Sequence, residues 1–185
     1  MFLKFLTVIL LFFSFFLNAQ ASEKQSIINY FSEINNFTFS FKQITKEKIE
    51  TGTCLLVFDN KLKCIYKDEQ QKEIIINNKK LAILQKRYDK IYFYPVSKSP
   101  FMNILNKNKL INLIRKSNLI LNENIELIYF DRNKKKITIF FKKKNYELIG
   151  WLVEDEFQNE INFSLKIEKV NTKIEKKNFK IPSIY

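Results

Sequence analysis

The stretch FTFSFKQ, Phe37–Gln43, alternates three phenylalanines with Thr38, Ser40 and Lys42. Successive side chains of a strand point to opposite faces. As a strand, the segment carries Phe37, Phe39 and Phe41 on one face and polar groups on the other. The phenyl face must cover either a core or a ligand, and the rest of the sequence has to decide which.

Working outward, SEKQSIINYFSEIN spaces Ile27, Ile28, Phe31 and Ile34 as a helix does, with Ser22 as a candidate N-cap. Beyond Gly52 come TCLLVF, LKCIYK, KEIIIN, KLAILQ and KIYFYP, strand-like runs separated by short Asn, Asp and Lys turns. Pro95 and Pro100 end this pattern. In SPFMNILNKNKLINLIRKS, Phe101, Ile104 and Leu105, then Leu110, Leu113 and Ile114, recur at three and four. Ser99 and Pro100 suit a cap and a first helical residue. Strand-like runs resume with IELIYF, KITIFFK, YELIGWLVE, EINFSLKIEKV and KNFKI. About eleven strands and two helical segments in one domain predict a strongly curved antiparallel sheet or open barrel.

The N-terminus reads differently. Lys4, the apolar run Phe5–Leu17 and the Ala19-Gln20-Ala21 pattern predict a secretory signal peptide over 1–21 and a single domain over 22–185. The chain carries a formal charge of +13. Export argues against nucleic acid as the partner. The charge is then either a solvated surface or a basic face attracting anionic lipid or an acidic partner. Cys54 and Cys64, in GTCLLVFDNKLKC, lie symmetrically about Asp59. They would oppose each other across a hairpin, and in an exported protein they predict a structural disulfide.

Much chemistry is missing. There is no histidine, so the usual general base, the Ser-His-Asp triad and the commonest metal ligand are absent. Two glycines leave no phosphate loop or nucleophile elbow. Glu154 to Glu156 read as a solvated turn. No enzyme activity, metal or cofactor is expected.

The order of these pieces resembles the periplasmic outer-membrane lipoprotein carrier family, LolA. Its first-strand pattern, S-F-x-x-x-F-x-Q, meets NFTFSFKQ at Phe37, Phe41 and Gln43. Gly52 opens the second strand, LKC (Leu62–Cys64) stands on the third, SPFMNIL (Ser99–Leu105) matches the mid-chain motif, and Asn171, Phe179 and Pro182 match the end. Three places depart. Phe58-Asp59 replaces an Arg-Pro pair whose arginine holds the helical lid in the family. Cys64 replaces a tryptophan, and Asn77-Asn78 replaces an Asp-Gly turn.

The resemblance implies an open, incomplete antiparallel β-barrel whose concave face is covered by helices as a lid. Phe37, Phe39, Phe41, Leu62 and Phe93 would line a cavity. Ile27, Phe31, Ile34, Phe101, Ile104 and Leu105 would face it from the lid. The implied function is a monomeric periplasmic chaperone that takes acylated lipoproteins from the inner-membrane complex LolCDE to the outer-membrane receptor LolB. The alternative is a lipid- or peptide-sensing periplasmic adaptor of the same architecture.

Overall fold

The computed structural model describes residues 22–58, 60–96, 106–131, 134–154 and 158–182. The expected signal peptide, the SPFMNIL motif and most of the Glu154–Glu156 turn lie outside these residues, as do the lid positions Phe101, Ile104 and Leu105. Residues 22–33 form helix α1. Six strands follow: β1 (Asn36–Thr45), β2 (Lys48–Val57), β3 (Lys61–Tyr66), β4 (Lys72–Asn77), β5 (Lys80–Gln85) and β6 (Lys90–Pro95). Helix α2 (Lys107–Lys116) leads into β7 (Asn118–Leu121), β8 (Ile125–Phe130), β9 (Lys136–Phe141), β10 (Leu148–Glu154) and β11 (Glu160–Val170).

All eleven strands form one antiparallel sheet in the order β6-β5-β4-β3-β2-β1-β11-β10-β9-β8-β7. The sheet is open, with β6 and β7 as its edges. Neighbours in sequence pair through short hairpins, and only β1 with β11 closes over a long separation. With so few glycines, the turns place other residues at positive φ, among them Lys46, Asn60, Asn78 and Asp89. Asn and Asp tolerate that region best.

Two elements differ from the sequence reading. KNFKI is not a strand: Lys176–Phe179 is a 3-10 turn. The eleventh strand is instead β7, a short edge directly after α2. Asn106 caps the described mid-chain helix by accepting from the Lys109 amide at 3.0 Å, and the start read at Ser99-Pro100 lies outside the described residues.

Strand register sorts the side chains. Across one wing, Phe37 opposes Leu56, then Leu62, Ile76, Leu81 and Tyr94. Across the other, Phe163 opposes Trp151, then Ile139, Leu127 and Leu119. These rows make the concave face. Apart from the exposed Tyr94, they form the main core together with Ile27, Ile28 and Phe31 of α1, Ile34 just after it, and Leu110, Leu113 and Ile114 of α2. A second, smaller cluster of Ile75, Ala82 and Leu84 lies on the convex face, with Ile181 packed against it. Phe179 is buried and its carbonyl accepts from Asn77 Nδ2 at 3.2 Å, so the C-terminal segment braces that face.

Candidate functional site

The phenyl face of β1 is covered. Phe37, Phe39 and Phe41 are all buried. Phe41 stacks on Phe163 at 5.0 Å and meets Tyr66 edge-on at 5.0 Å. Phe163 in turn stacks on Trp151 at 4.2 Å. Phe37 sits 5.5 Å from Phe39 and 6.1 Å from Phe58. Such contacts are worth about 0.5–1.5 kcal/mol each beyond area burial. Gly52 stands opposite Phe41, and an added Cβ there would lie 2.7 Å from the ring and press on the Ile65 carbonyl. A glycine at this position is what lets the ring lie flat across β2.

Leu62, Cys54 and Cys64 share this face. The two cysteines are directly opposed, bonded as a disulfide with Cα atoms 4.1 Å apart. Phe93 does not share it. It pairs with Ala82, which pairs with Ile75, and this row belongs to the convex face. The concave residues of β6 are Tyr92 and Tyr94. KIYFYP is aromatic on both sides, so alternation alone could not tell which side faces in.

Ile27 and Phe31 of α1, and Ile34 just beyond its end, do pack onto the concave face. Phe31 meets Phe141 of β9 edge-on at 5.9 Å. The helices are also tied to each other, and reciprocally. Lys24 on α1 donates through Nζ to the Ser117 and Arg115 carbonyls at the end of α2, at 2.5 and 3.4 Å. Lys107, at the start of α2, donates through Nζ to the Ser32 carbonyl at the end of α1, at 3.2 Å, and to Asn35 Oδ1 at 3.5 Å. A cation suits the electron-rich carbonyl end of a helix. The Lys107 ammonium also lies 5.5 Å from the centre of the Phe58 ring. Phe58 is one of the two residues that stand where the resemblance implies an Arg-Pro pair. The cation at this corner therefore comes from α2 and the aromatic ring from the strand hairpin. Sequence reasoning missed both lysines, because nothing distinguishes them among 32 Lys and Arg residues.

Asn171 fixes the far end of α1. Its Nδ2 donates to the Glu33 carbonyl at 2.9 Å and its Oδ1 accepts from the Asn35 amide at 2.7 Å. The helix therefore enters β1 at a fixed angle.

Beyond Gly52 and Ile74 the concave rows turn polar. Glu50 binds Lys72, and also Lys48 at 3.0 Å, while the Lys72 ammonium sits 3.7 Å above the Tyr66 ring. Burial pushes the Glu50 carboxyl up, but hydrogen bonds and charge from Lys72 and Lys48 outweigh it and hold its pKa below the ordinary value. Burial, then the charges of Glu50 and Asp68, push the Tyr66 hydroxyl up. Lys48, Glu50, Tyr66, Lys72 and Tyr88 line a half-open cleft of about 240 Å³ here. No group of His, Cys, Asp or Glu among the described residues could hold a metal ion. No helix among them is long and apolar enough to cross a membrane.

A helix-covered open sheet with these motifs in this order can be compared with known families. The model of the outer membrane lipoprotein carrier protein LolA matches residues 32–182. The chain belongs to the LolA family. The family is one of binding or carrier proteins rather than enzymes. Comparison with individual curated proteins finds no match. Among solved structures, an uncharacterized conserved protein from Thermus thermophilus superposes with a TM-score of 0.54 at 9% identity, covering 85% of this chain and 93% of that one. The Mycobacterium tuberculosis lipoprotein LppX gives 0.51 at 11% identity, over 85% and 98%. The Pseudomonas aeruginosa MucA/MucB complex gives 0.51 at 10% identity, over 89% of this chain and 61% of that one. At these identities the likeness is one of fold.

Proposed function

We propose that the protein is a periplasmic chaperone that shields the acyl chains of lipoproteins against its concave face and carries them between membranes. The observation that supports this reading most is the construction of that face. Phenyl rings, aliphatic rows and a disulfide form one apolar surface, and two helices cover it, held to each other by lysine–carbonyl bonds. Exposed acyl chains cost about 0.8 kcal/mol per CH₂. A surface of this kind could take them up if α1 and α2 lifted.

Lid-to-sheet contacts then compete with lipid-to-sheet contacts, so net affinity is the difference between the two. That suits a carrier, which must release what it holds. Membership of the LolA family supports periplasmic residence, export by a cleaved segment over 1–21, and a domain over 22–185 that acts as a monomer. LolCDE as donor and LolB as acceptor follow from the same reading, with Leu62 and the β1 phenylalanines under the cargo.

Native mass spectrometry tests it. The protein would be purified from cells expressing a triacylated lipoprotein, or the same lipoprotein with its lipid-bearing cysteine changed to serine. A complex with the acylated form alone is expected. No complex, or equal capture of both forms, would overturn the proposal.

A further inference from the structure

Edge strand β6 carries a different surface. Tyr92 is 40% exposed, Phe93 50% and Tyr94 50%, and Tyr88 in the preceding 3-10 turn is 51% exposed. Four exposed rings within seven residues are unusual on a sheet edge, where charge normally blocks pairing. Strand alternation puts Tyr92 and Tyr94 on the concave side and Phe93 on the convex side. The edge therefore presents rings on both of its faces, like a blade.

Cations surround it. Lys79 and Lys80 lie at one end of the edge, across from Pro95, and Lys86, Arg87 and Lys90 lie at the other. Lys86 pairs with Glu73, and Arg87 with Glu69. Among the described residues, Lys79, Lys80 and Lys90 make no ion pair. The opposite edge has no such character. There β7 exposes Ile120 and Leu121, with Glu123 and Glu126 beside them.

Tyrosine and phenylalanine flanked by lysine is the composition that partitions to the headgroup layer of an anionic bilayer. The rings sit at the boundary and the ammonium groups meet lipid phosphates. A partner strand fits less well, because β6 is only six residues long and ends at Pro95, features that blunt an edge against strand addition. We propose that the β6 edge, with its four rings and with Lys79, Lys80 and Lys90, docks the protein on anionic phospholipid surfaces. This surface borders the concave site, whose outer row ends at Tyr94 and whose polar cleft includes Tyr88, but its rings are exposed rather than covered by the helices.

Vesicle flotation tests it. The purified protein would be mixed with vesicles of phosphatidylethanolamine and phosphatidylglycerol, or of phosphatidylcholine alone, at low and high salt. Binding to the anionic vesicles only, weakened by salt, is expected. The triple variant Tyr92→Ser, Phe93→Ser, Tyr94→Ser should lose it at an unchanged melting temperature. Lys79→Gln, Lys80→Gln and Lys90→Gln should each weaken it by roughly fivefold. Lack of binding to anionic vesicles at low salt would overturn the proposal, as would full binding by the triple variant. Self-association lost in that variant, without vesicle binding, would also overturn it and make the edge a strand-pairing surface between copies.

Discussion

The two wings of the sheet use similar residues and end differently. In the β7–β11 wing, Ile125, Leu127, Ile139 and Phe141 are fully buried beneath α1 and α2. In the β2–β6 wing, burial fades outward from the phenyl rows. Leu56, Leu62 and Ile76 are buried, Leu81 is half-buried, and Tyr94 in the same row is exposed. The second wing is held by other means. A disulfide staples β2 to β3 on the inside, and the C-terminal segment braces β3 to β5 on the outside. One wing is stabilised by what its concave face buries. The other keeps its outer concave rows less covered, and its stability comes from elsewhere. That division leaves the outer concave rows of one wing exposed while those of the other are covered.

The comparison can be broken most sharply in the cores. Phe141→Ala, beneath α1, should cost about 3–5 kcal/mol. Ile83→Ala, half-buried in the other wing, should cost about 1–2 kcal/mol. Urea unfolding measures both, and equal losses would erase the distinction between wings. The staple comes next. Cys54→Ala with Cys64→Ala should remove up to about 3 kcal/mol. Amide exchange should rise in β2 and β3 while β8 to β11 stay protected.

The helix clasp is smaller. Lys24→Met and Lys107→Met should each cost about 1 kcal/mol, the usual net worth of a hydrogen bond. Exchange should quicken in α1 and α2 ahead of the sheet. The acid response is the smallest. Glu50 is held below its ordinary pKa of 4.5, so its stabilisation is present above that value and fades as pH falls through the folded one. In urea titrations, Glu50→Gln should flatten the loss of stability below about pH 4.5 while lowering stability at pH 7.

Much of this was legible in the residues. KEIIIN, KLAILQ, KIYFYP, IELIYF and EINFSLKIEKV are strands with the read boundaries, because alternation and turn residues agree there. The cysteine spacing sufficed for the disulfide, since a symmetric hairpin leaves only one register. The misreadings have physical causes. Asn118–Leu121 continues the apolar pattern of α2, so period alone could not separate strand from helix. KNFKI alternates like a strand, but its Phe179 is used to cover the convex face. Phe93 lies between two tyrosines, and a strand aromatic on both sides carries no sign of which face is inner. The Lys24 and Lys107 contacts depend on how two distant helices meet, which no local pattern encodes.

The central claim is that the concave face takes acyl chains by displacing the clasped helices. Hydrogen exchange with and without a bound triacylated lipoprotein tests it most directly. Helices α1 and α2 should lose protection when cargo binds, while β1 and β8 to β11 keep theirs. Cargo bound with both helices as protected as before would contradict it.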